Sequence, residues 1–256
     1  MDNIKNKIMI MSNKGGVGKS TVTADIAALL TARGYKTGVM DIDLHGPSQA
    51  KLFGLDNVRH TSNKEGKIMP FKTKSGINII TVAGLLENDS QPLIWRGPLK
   101  TGIIKRFIKD VIWDEDLDYL LIDSPPGTGD EPLTIGQLIP GLDGIVIVTT
   151  PQEMAIIDSK KAINFANAIN VPILGLIENM SGLKCPHCGE LIDLFKIGGG
   201  QRIAKEMNID VLGVLPFESL IMESAEKGKS FVVEGKTPAA DEFRKIVTTI
   251  ETKLKK

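Results

Sequence analysis

Short continuous apolar runs alternate with stretches of helical spacing along most of the chain. Lys7–Met11 is the first such run, and a glycine-rich turn follows it. Thr21–Arg33 places Ile26, Leu29 and Leu30 at helical spacing, and Gly34 stops that helix. Thr37–Asp41 predicts the next strand. Ile68–Val82 reads as an extended pair turning at Lys74-Ser75-Gly76, and Leu99–Val111 reads as a helix. Tyr119–Asp123, Gly144–Thr149, Ile173–Glu178 and Val211–Leu215 are further apolar runs. Asp241–Lys255 closes the chain as a helix with Phe243, Ile246, Val247, Ile250 and Leu254 on one face. Such a face more often packs on a core than on a membrane. Continuous apolar runs belong to strands covered on both sides. Joined by helices, they predict an α/β fold: a doubly wound, mostly parallel sheet with helices on both faces. Met180–Gly200 breaks the pattern between a strand and a helix over Gln201–Met207. It reads as an insertion loop, at about 180–200, on a single domain spanning 1–256, with Gly198-Gly199-Gly200 as a flexible turn at its end.

Composition narrows this picture. The 256 residues are 42% hydrophobic but only 5% aromatic, with 26 glycines, which suits tight strand-to-helix turns over one large core. Thirty-one basic and 31 acidic residues cancel. A neutral chain carries no electrostatic footprint for nucleic acid. No apolar run reaches the length of a membrane span. The start Met1-Asp2-Asn3-Ile4-Lys5 has no signal-peptide character, so a soluble cytoplasmic protein is expected, without nucleic-acid or membrane partners.

The glycine-rich turn is the sharpest chemical signal. Asn13-Lys14-Gly15-Gly16-Val17-Gly18-Lys19-Ser20-Thr21 follows a strand and opens a helix, the context of a phosphate-binding loop. Its backbone N–H groups point at phosphate oxygens, and the helix N-terminus adds partial positive charge. Lys19 is expected on the β- and γ-phosphates of ATP and the Ser20 hydroxyl on Mg²⁺. Asn13 stands where the strict pattern has glycine, and its tolerance of left-handed backbone angles would let the loop close. Lys19→Ala is therefore expected to abolish nucleotide binding or hydrolysis and to leave the fold intact. Asp41-Ile42-Asp43 ends one strand, and Leu120-Leu121-Ile122-Asp123 has the form of a Walker B strand whose Asp123 holds Mg²⁺, usually through water. Ser124–Asp130, with two prolines and two glycines, is placed to sense the γ-phosphate. All this predicts a P-loop NTPase fold with ATPase activity.

The chain has two cysteines, Cys185 and Cys188, in a C-x-x-C spacing. That is half a metal site, since a tetrahedral metal or a [4Fe–4S] cluster takes four ligands. Two subunits related by two-fold symmetry supply four thiolates. On the residues alone, a zinc site and a redox pair stay open beside the cluster.

The second lysine, Lys14, is the mark of the deviant phosphate loop, and it resembles that of the ParA, MinD and nitrogenase iron protein superfamily. The resemblance implies that Lys14 reaches the partner subunit's nucleotide, that Asp43 orients the attacking water, and that Asp41 lies near the Mg²⁺ shell. More closely, the chain resembles the Mrp/ApbC/Nbp family of iron–sulfur cluster carriers. The matching segments are Lys14–Thr21, Asp41–Ser48, Trp95–Pro98, Asp118–Asp130, Glu178–Ser181 and Cys185–Cys188. They span about residues 7 to 235 in one order. The resemblance implies a slow ATPase that holds a [4Fe–4S] cluster between the subunits of a homodimer and passes it to apo iron–sulfur client proteins. It also implies that Asn179 contacts adenine and that Pro216 and Phe217 line the base pocket. The chain departs from the family pattern at Asn13 and at Lys196, where relatives often have glycine. It lacks the N-terminal additions of larger relatives, so one cluster site is expected. The alternative is a ParA/MinD-type switch that dimerises on ATP and positions cargo, which leaves the C-x-x-C unexplained. A zinc clamp holding a dimer is the third reading.

Overall fold

The computed structural model describes residues 1–256 except 2, 56–58, 86–96, 186 and 256. Trp95 and Arg96 lie outside the described residues. In chain order the strands and helices are β1 (Asn6–Met11), α1 (Lys19–Ala32), β2 (Thr37–Asp41), α2 (Gln49–Leu52), β3 (Thr61–Ser62), β4 (Ile68–Met69), β5 (Phe71–Lys72) and β6 (Asn78–Thr81). A 3₁₀ turn at Val82–Leu85 precedes α3 (Gly97–Asp110), β7 (Tyr119–Asp123), α4 (Asp130–Leu138), β8 (Gly144–Thr149), α5 (Glu153–Ala168) and β9 (Ile173–Glu178). Then come β10 (Leu183–Lys184), β11 (Leu191–Ile192), α6 (Gly199–Glu206), β12 (Val211–Val214), α7 (Ser219–Glu226), α8 (Phe231–Glu234) and α9 (Pro238–Leu254).

Eight strands form one sheet in the order β12-β9-β8-β1-β7-β2-β6-β5. Every pairing is parallel except the edge pair β5–β6. Both faces are covered, as the apolar runs predict. Ile8 and Ile10 of β1 face α1, α8 and α9 through Ile26, Leu30, Phe231, Phe243 and Ile246. The alternate residues Met9 and Met11 face α3, α5 and α6 through Ile104, Phe107, Ile163 and Ile203. The predicted face of α9 packs into the first of these clusters. No helix among the described residues is long and apolar enough to cross a membrane.

The winding reverses at β1. The chain builds outward on one side, returns to β7 beside β1, and crosses to β8 on the other side. The crevice at the carboxyl ends of the strands at such a crossing is where α/β sheets bind ligands. Register then sets the chemistry: β2 pairs β7 with Asp41 opposite Asp123, and β1 pairs β7 with Ile10 opposite Asp123. Two fully buried carboxylates therefore stand side by side at the edge where the glycine-rich loop leaves β1.

Several boundaries differ from the sequence pattern for local reasons. The helix α1 begins at Lys19, because left-handed Gly18 (φ 85°) forms its N-cap inside the loop. The helix α9 begins at Pro238, where Thr237 caps it by accepting the Ala240 N–H at 3.2 Å. The extended pair over 68–82 is three short strands. Pro70 separates β4 from β5, and Gly76 (φ 93°) closes the turn before β6. Gly199 and Gly200 are not a flexible turn: they begin α6. A Cβ on Gly199 would meet the Pro151 carbonyl at 2.5 Å, and one on Gly200 would meet Glu178 Oε2 at 2.9 Å, so close packing explains both. In α1, buried Asp25 accepts a hydrogen bond from Ser230 Oγ at 2.8 Å, and its other oxygen has no partner among the described residues. Burial pushes its carboxyl up to about 7.

Candidate functional site: the loop after the first strand and the cysteine hairpin

The loop between β1 and α1 wraps a cleft of about 240 Å³, lined by its residues from Lys14 to Thr21 together with Ser12, Asp43, Gly46 and Pro126. Whole small-molecule sites usually run to ~300–1,000 Å³, so a cleft of this size suits the phosphate end of a larger ligand. Gly16 (φ 79°) and Gly18 (φ 85°) adopt the left-handed conformation that turns successive N–H groups inward. Among the described residues nothing lies within 4 Å of a Cβ built on Gly15 or Gly16. Asn13 does not have a left-handed φ. Its tolerance here needs no special conformation, and its amide donates to Asp158 Oδ1 of α5 at 3.2 Å. Lys14 is exposed, and its carbonyl accepts Ser12 Oγ at 2.9 Å.

Lys19 is nearly buried and pairs with Asp123 Oδ1, and its Nζ lies 4.0 Å from Asp43 Oδ2. Asp41 accepts the N–H groups of Asp43, Ser48 and Gln49 and the Thr81 hydroxyl, each at 3.0–3.1 Å. It thus shapes the segment from Asp43 to Gln49. Burial, and then the neighbouring Asp123 charge, push its carboxyl up to about 7. Asp43 lies beyond the end of β2, so strand alternation does not govern its direction; its Oδ1 accepts the N–H groups of His45 (3.3 Å) and Gly46 (3.1 Å). The segment after Asp123 is tied to the loop by backbone bonds, with Gly127 N–H donating to the Ser12 carbonyl at 2.9 Å. The donor set suits a nucleotide with Mg²⁺: glycine N–H groups, a buried cation, the Ser20 hydroxyl and two buried carboxylates.

Two side chains at this edge carried no sequence signal. Gln49 is fully buried against Ser20 and Asp123. Lys100 of α3 joins His45 Nε2 and Glu131 Oε1, each at 2.8 Å, bridging the segments after β2 and β7. No motif contains either; only the register of β2 on β7 brings Gln49 to Asp123.

Asn179 directly follows β9, and its amide donates to the Val17 carbonyl at 2.9 Å. A Cβ on Gly18 would overlap that amide. Asn179 therefore holds the loop directly, and neither it nor Pro216 or Phe217 lines the cleft. Phe217 instead bonds back to the insertion, its N–H donating to the Gly182 carbonyl at 2.8 Å, with its ring 6.1 Å from that of Phe195.

The insertion is an antiparallel hairpin, β10–β11, with the cysteines at its end. Cys185 N–H donates to the Glu190 carbonyl and Gly189 N–H to the Cys185 carbonyl, both at 2.9 Å. Cys188 is exposed and Cys185 half-buried, and both thiols are free. The backbone N–H groups of Cys188 and His187 lower the Cys185 pKa, with the Cys188 thiol adding to the effect. A thiolate is the form that ligates metal. Among the described residues no three His, Cys, Asp or Glu side chains gather to hold a metal ion. At the base of the hairpin, buried Glu178 accepts Ser181 Oγ and the N–H groups of Gly198 and Gly200. Lys196 takes a left-handed φ of 71°, which explains why glycine suits that position better.

The fold and this edge define a nucleotide-binding α/β protein of the phosphate-loop type. The chain belongs to the family of NUBPL iron-transfer P-loop NTPases within the ParA group, whose model matches residues 3–251. It is 49% identical over 254 residues to an iron-sulfur cluster carrier protein of Methanocaldococcus jannaschii, covering 99% of this chain and 87% of that one. It is 45% identical over 236 residues to the cytosolic Fe-S cluster assembly factor CFD1 of Kluyveromyces lactis, covering 90% and 83%. Among solved structures, the nucleotide-binding protein of Archaeoglobus fulgidus in complex with ADP superposes with a TM-score of 0.79 at 39% identity, covering 94% and 93%. The cell division ATPase MinD of Pyrococcus furiosus shares the fold, with a TM-score of 0.71 at 23% identity.

Proposed function

We propose that this chain is an ATP-hydrolysing iron–sulfur cluster carrier, a single cytoplasmic domain that works as a homodimer. The cluster is its cargo, a [4Fe–4S] unit held by Cys185 and Cys188 of two subunits and passed to apo iron–sulfur proteins. One observation carries the reading: a lone pair of free cysteines, one biased toward thiolate, sits at the tip of a hairpin rooted beside a phosphate-binding loop. The relatives' names as cluster carriers and assembly factors support it. Two thiolates leave such a cluster half-ligated, and a symmetry mate completes it. An exposed tip suits handing the cluster over.

At the nucleotide end, the N–H groups from Asn13 to Thr21 are assigned to the phosphates and Lys19 to the β/γ-oxygens. Lys14, exposed at the rim, is assigned to the partner's γ-phosphate. Mg²⁺, when bound, would neutralise charge developing on the phosphates. Ser20 and Asp123 are the residues to hold it, with Asp41 behind them fixing the segment that carries Asp43. Asp43 is assigned to orienting the attacking water. Asn179, Pro216 and Phe217 remain the proposed adenine contacts, with Asn179 also bracing the loop.

Anaerobic reconstitution with iron and sulfide tests the carrier reading. A brown, oxygen-labile dimer with about four irons per pair of chains is expected. Either single Cys→Ser change is expected to weaken both the cluster and cluster-dependent dimerisation, with ADP binding intact. A cluster retained in the double Cys→Ser protein contradicts the assignment. A colourless zinc dimer would favour a structural clamp, and a protein that takes up no metal would favour an ATP-driven dimerisation switch.

A further inference from the structure

Gln49 opens α2 with its side chain fully buried. Its backbone N–H donates to Asp41 Oδ2 at 3.1 Å. Its amide nitrogen has two hydrogens, and two acceptors take them: the Ser20 carbonyl at 2.9 Å and Asp123 Oδ2 at 2.7 Å. Both partners only accept, so the chemistry itself settles which end of the amide faces them. The amide oxygen Oε1 is buried and has no hydrogen-bond partner among the described residues. One neutral side chain therefore ties together the residue whose hydroxyl is assigned to Mg²⁺ and the carboxylate assigned to it, and keeps one acceptor in reserve.

Asp123 has two side-chain donors, Lys19 on Oδ1 and Gln49 on Oδ2. Lys19 is also the cation that phosphates would claim. When it turns to them, Gln49 is the donor that stays. A lysine in its place would hold Asp123 but cancel its charge. A neutral amide orients the carboxylate and leaves the charge for a cation. We infer that Gln49 is a positioning residue of the Mg²⁺ site: it holds Asp123 for the metal. This deepens the nucleotide reading given above and rests on it.

The test is the Mg²⁺ dependence of nucleotide affinity, read with a fluorescent ADP analogue and needing no turnover. Gln49→Met keeps length and packing volume but removes donor and acceptor, and Gln49→Leu offers a second shape should the first fail to fold; thermal melting identifies the folded one. In EDTA, affinity is expected to fall no more than about twofold. The Mg²⁺ concentration that half-restores tight binding is expected to rise about tenfold, as when a partner behind a metal ligand is lost. A folded variant with the parent's Mg²⁺ requirement overturns the inference. So does an equal loss with and without Mg²⁺, which would make Gln49 a brace for α2 alone. A parent protein that binds no ADP overturns the nucleotide reading itself, and this one with it.

Discussion

Adding one methyl group at Gly18 tests how Asn179 braces the phosphate loop. Two costs arise at once. An L residue held at φ 85° loses roughly 1–2 kcal/mol. The new Cβ would overlap the Asn179 amide, so that side chain must turn away and leave the buried Val17 carbonyl without its donor. A buried acceptor left unpaired costs about 1–3 kcal/mol. Gly18→Ala is therefore expected to lose about 2–5 kcal/mol. Asn179→Ala loses the same hydrogen bond, about 1–3 kcal/mol, but leaves room for the methyl. The double variant then pays only the backbone strain and the one lost bond, and is no worse than Gly18→Ala alone. The coupling energy is the difference, about 1–3 kcal/mol in favour of the double variant. Urea unfolding of the nucleotide-free proteins, followed by circular dichroism, measures all four states. Strictly additive losses would refute the steric argument, because two residues that do not touch have nothing to share.

Other expectations follow from the same geometry. Lys19→Ala should abolish nucleotide binding and, contrary to what the motif alone suggests, also destabilise the fold by roughly 3–5 kcal/mol, since it strips the buried Asp123 of its cation; an unchanged melting temperature would count against this. Lys14→Ala, removing an exposed side chain, should keep ADP affinity and stability and lose hydrolysis; a loss of ADP affinity as large as that of Lys19→Ala would remove it from the γ-phosphate. Asp43→Asn should lower turnover with little change in ATP affinity, the mark of a group acting in the transition state, and an unchanged rate sinks the assignment. Asp25, raised by burial to about 7, binds a proton in the folded chain that the unfolded chain releases near pH 4. Stability should therefore fall as pH rises from about 4 to about 7 and level off above, by up to about 4 kcal/mol from this group. Asp25→Asn should remove that share of the slope, leaving the similar decline from Asp41, and a full slope in the variant would place the buried charge elsewhere.

The parallel core was legible because strands covered on both sides are buried at every position and so run mostly apolar, as β2, β7 and β8 do up to the polar residue at their ends. The loop was legible because its glycines and lysine stand in a fixed order between a strand and a helix. What the chain could not show was lateral. Nothing local to Gln49 or Asp123 says that they touch; the pairing of β2 with β7 decides it. Asn179 is the same case, since its neighbour is the loop more than 160 residues earlier. The glycines at 199 and 200 misled because a glycine pressed against a neighbour and a glycine in a loose turn are spelled alike.

Glu178 gives the cysteine hairpin its independence. Its carboxylate takes Ser181 at the start of the excursion and Gly198 and Gly200 at the end, so the chain leaves and rejoins the sheet at nearly one point. Between those points the entropy of closing the loop changes by only about 0.6 kcal/mol for each doubling of length. The tip is thus free to lengthen, shorten or change its residues while β9 and α6 keep their places. Evolution can retailor what the thiols meet without redrawing the machine beneath them.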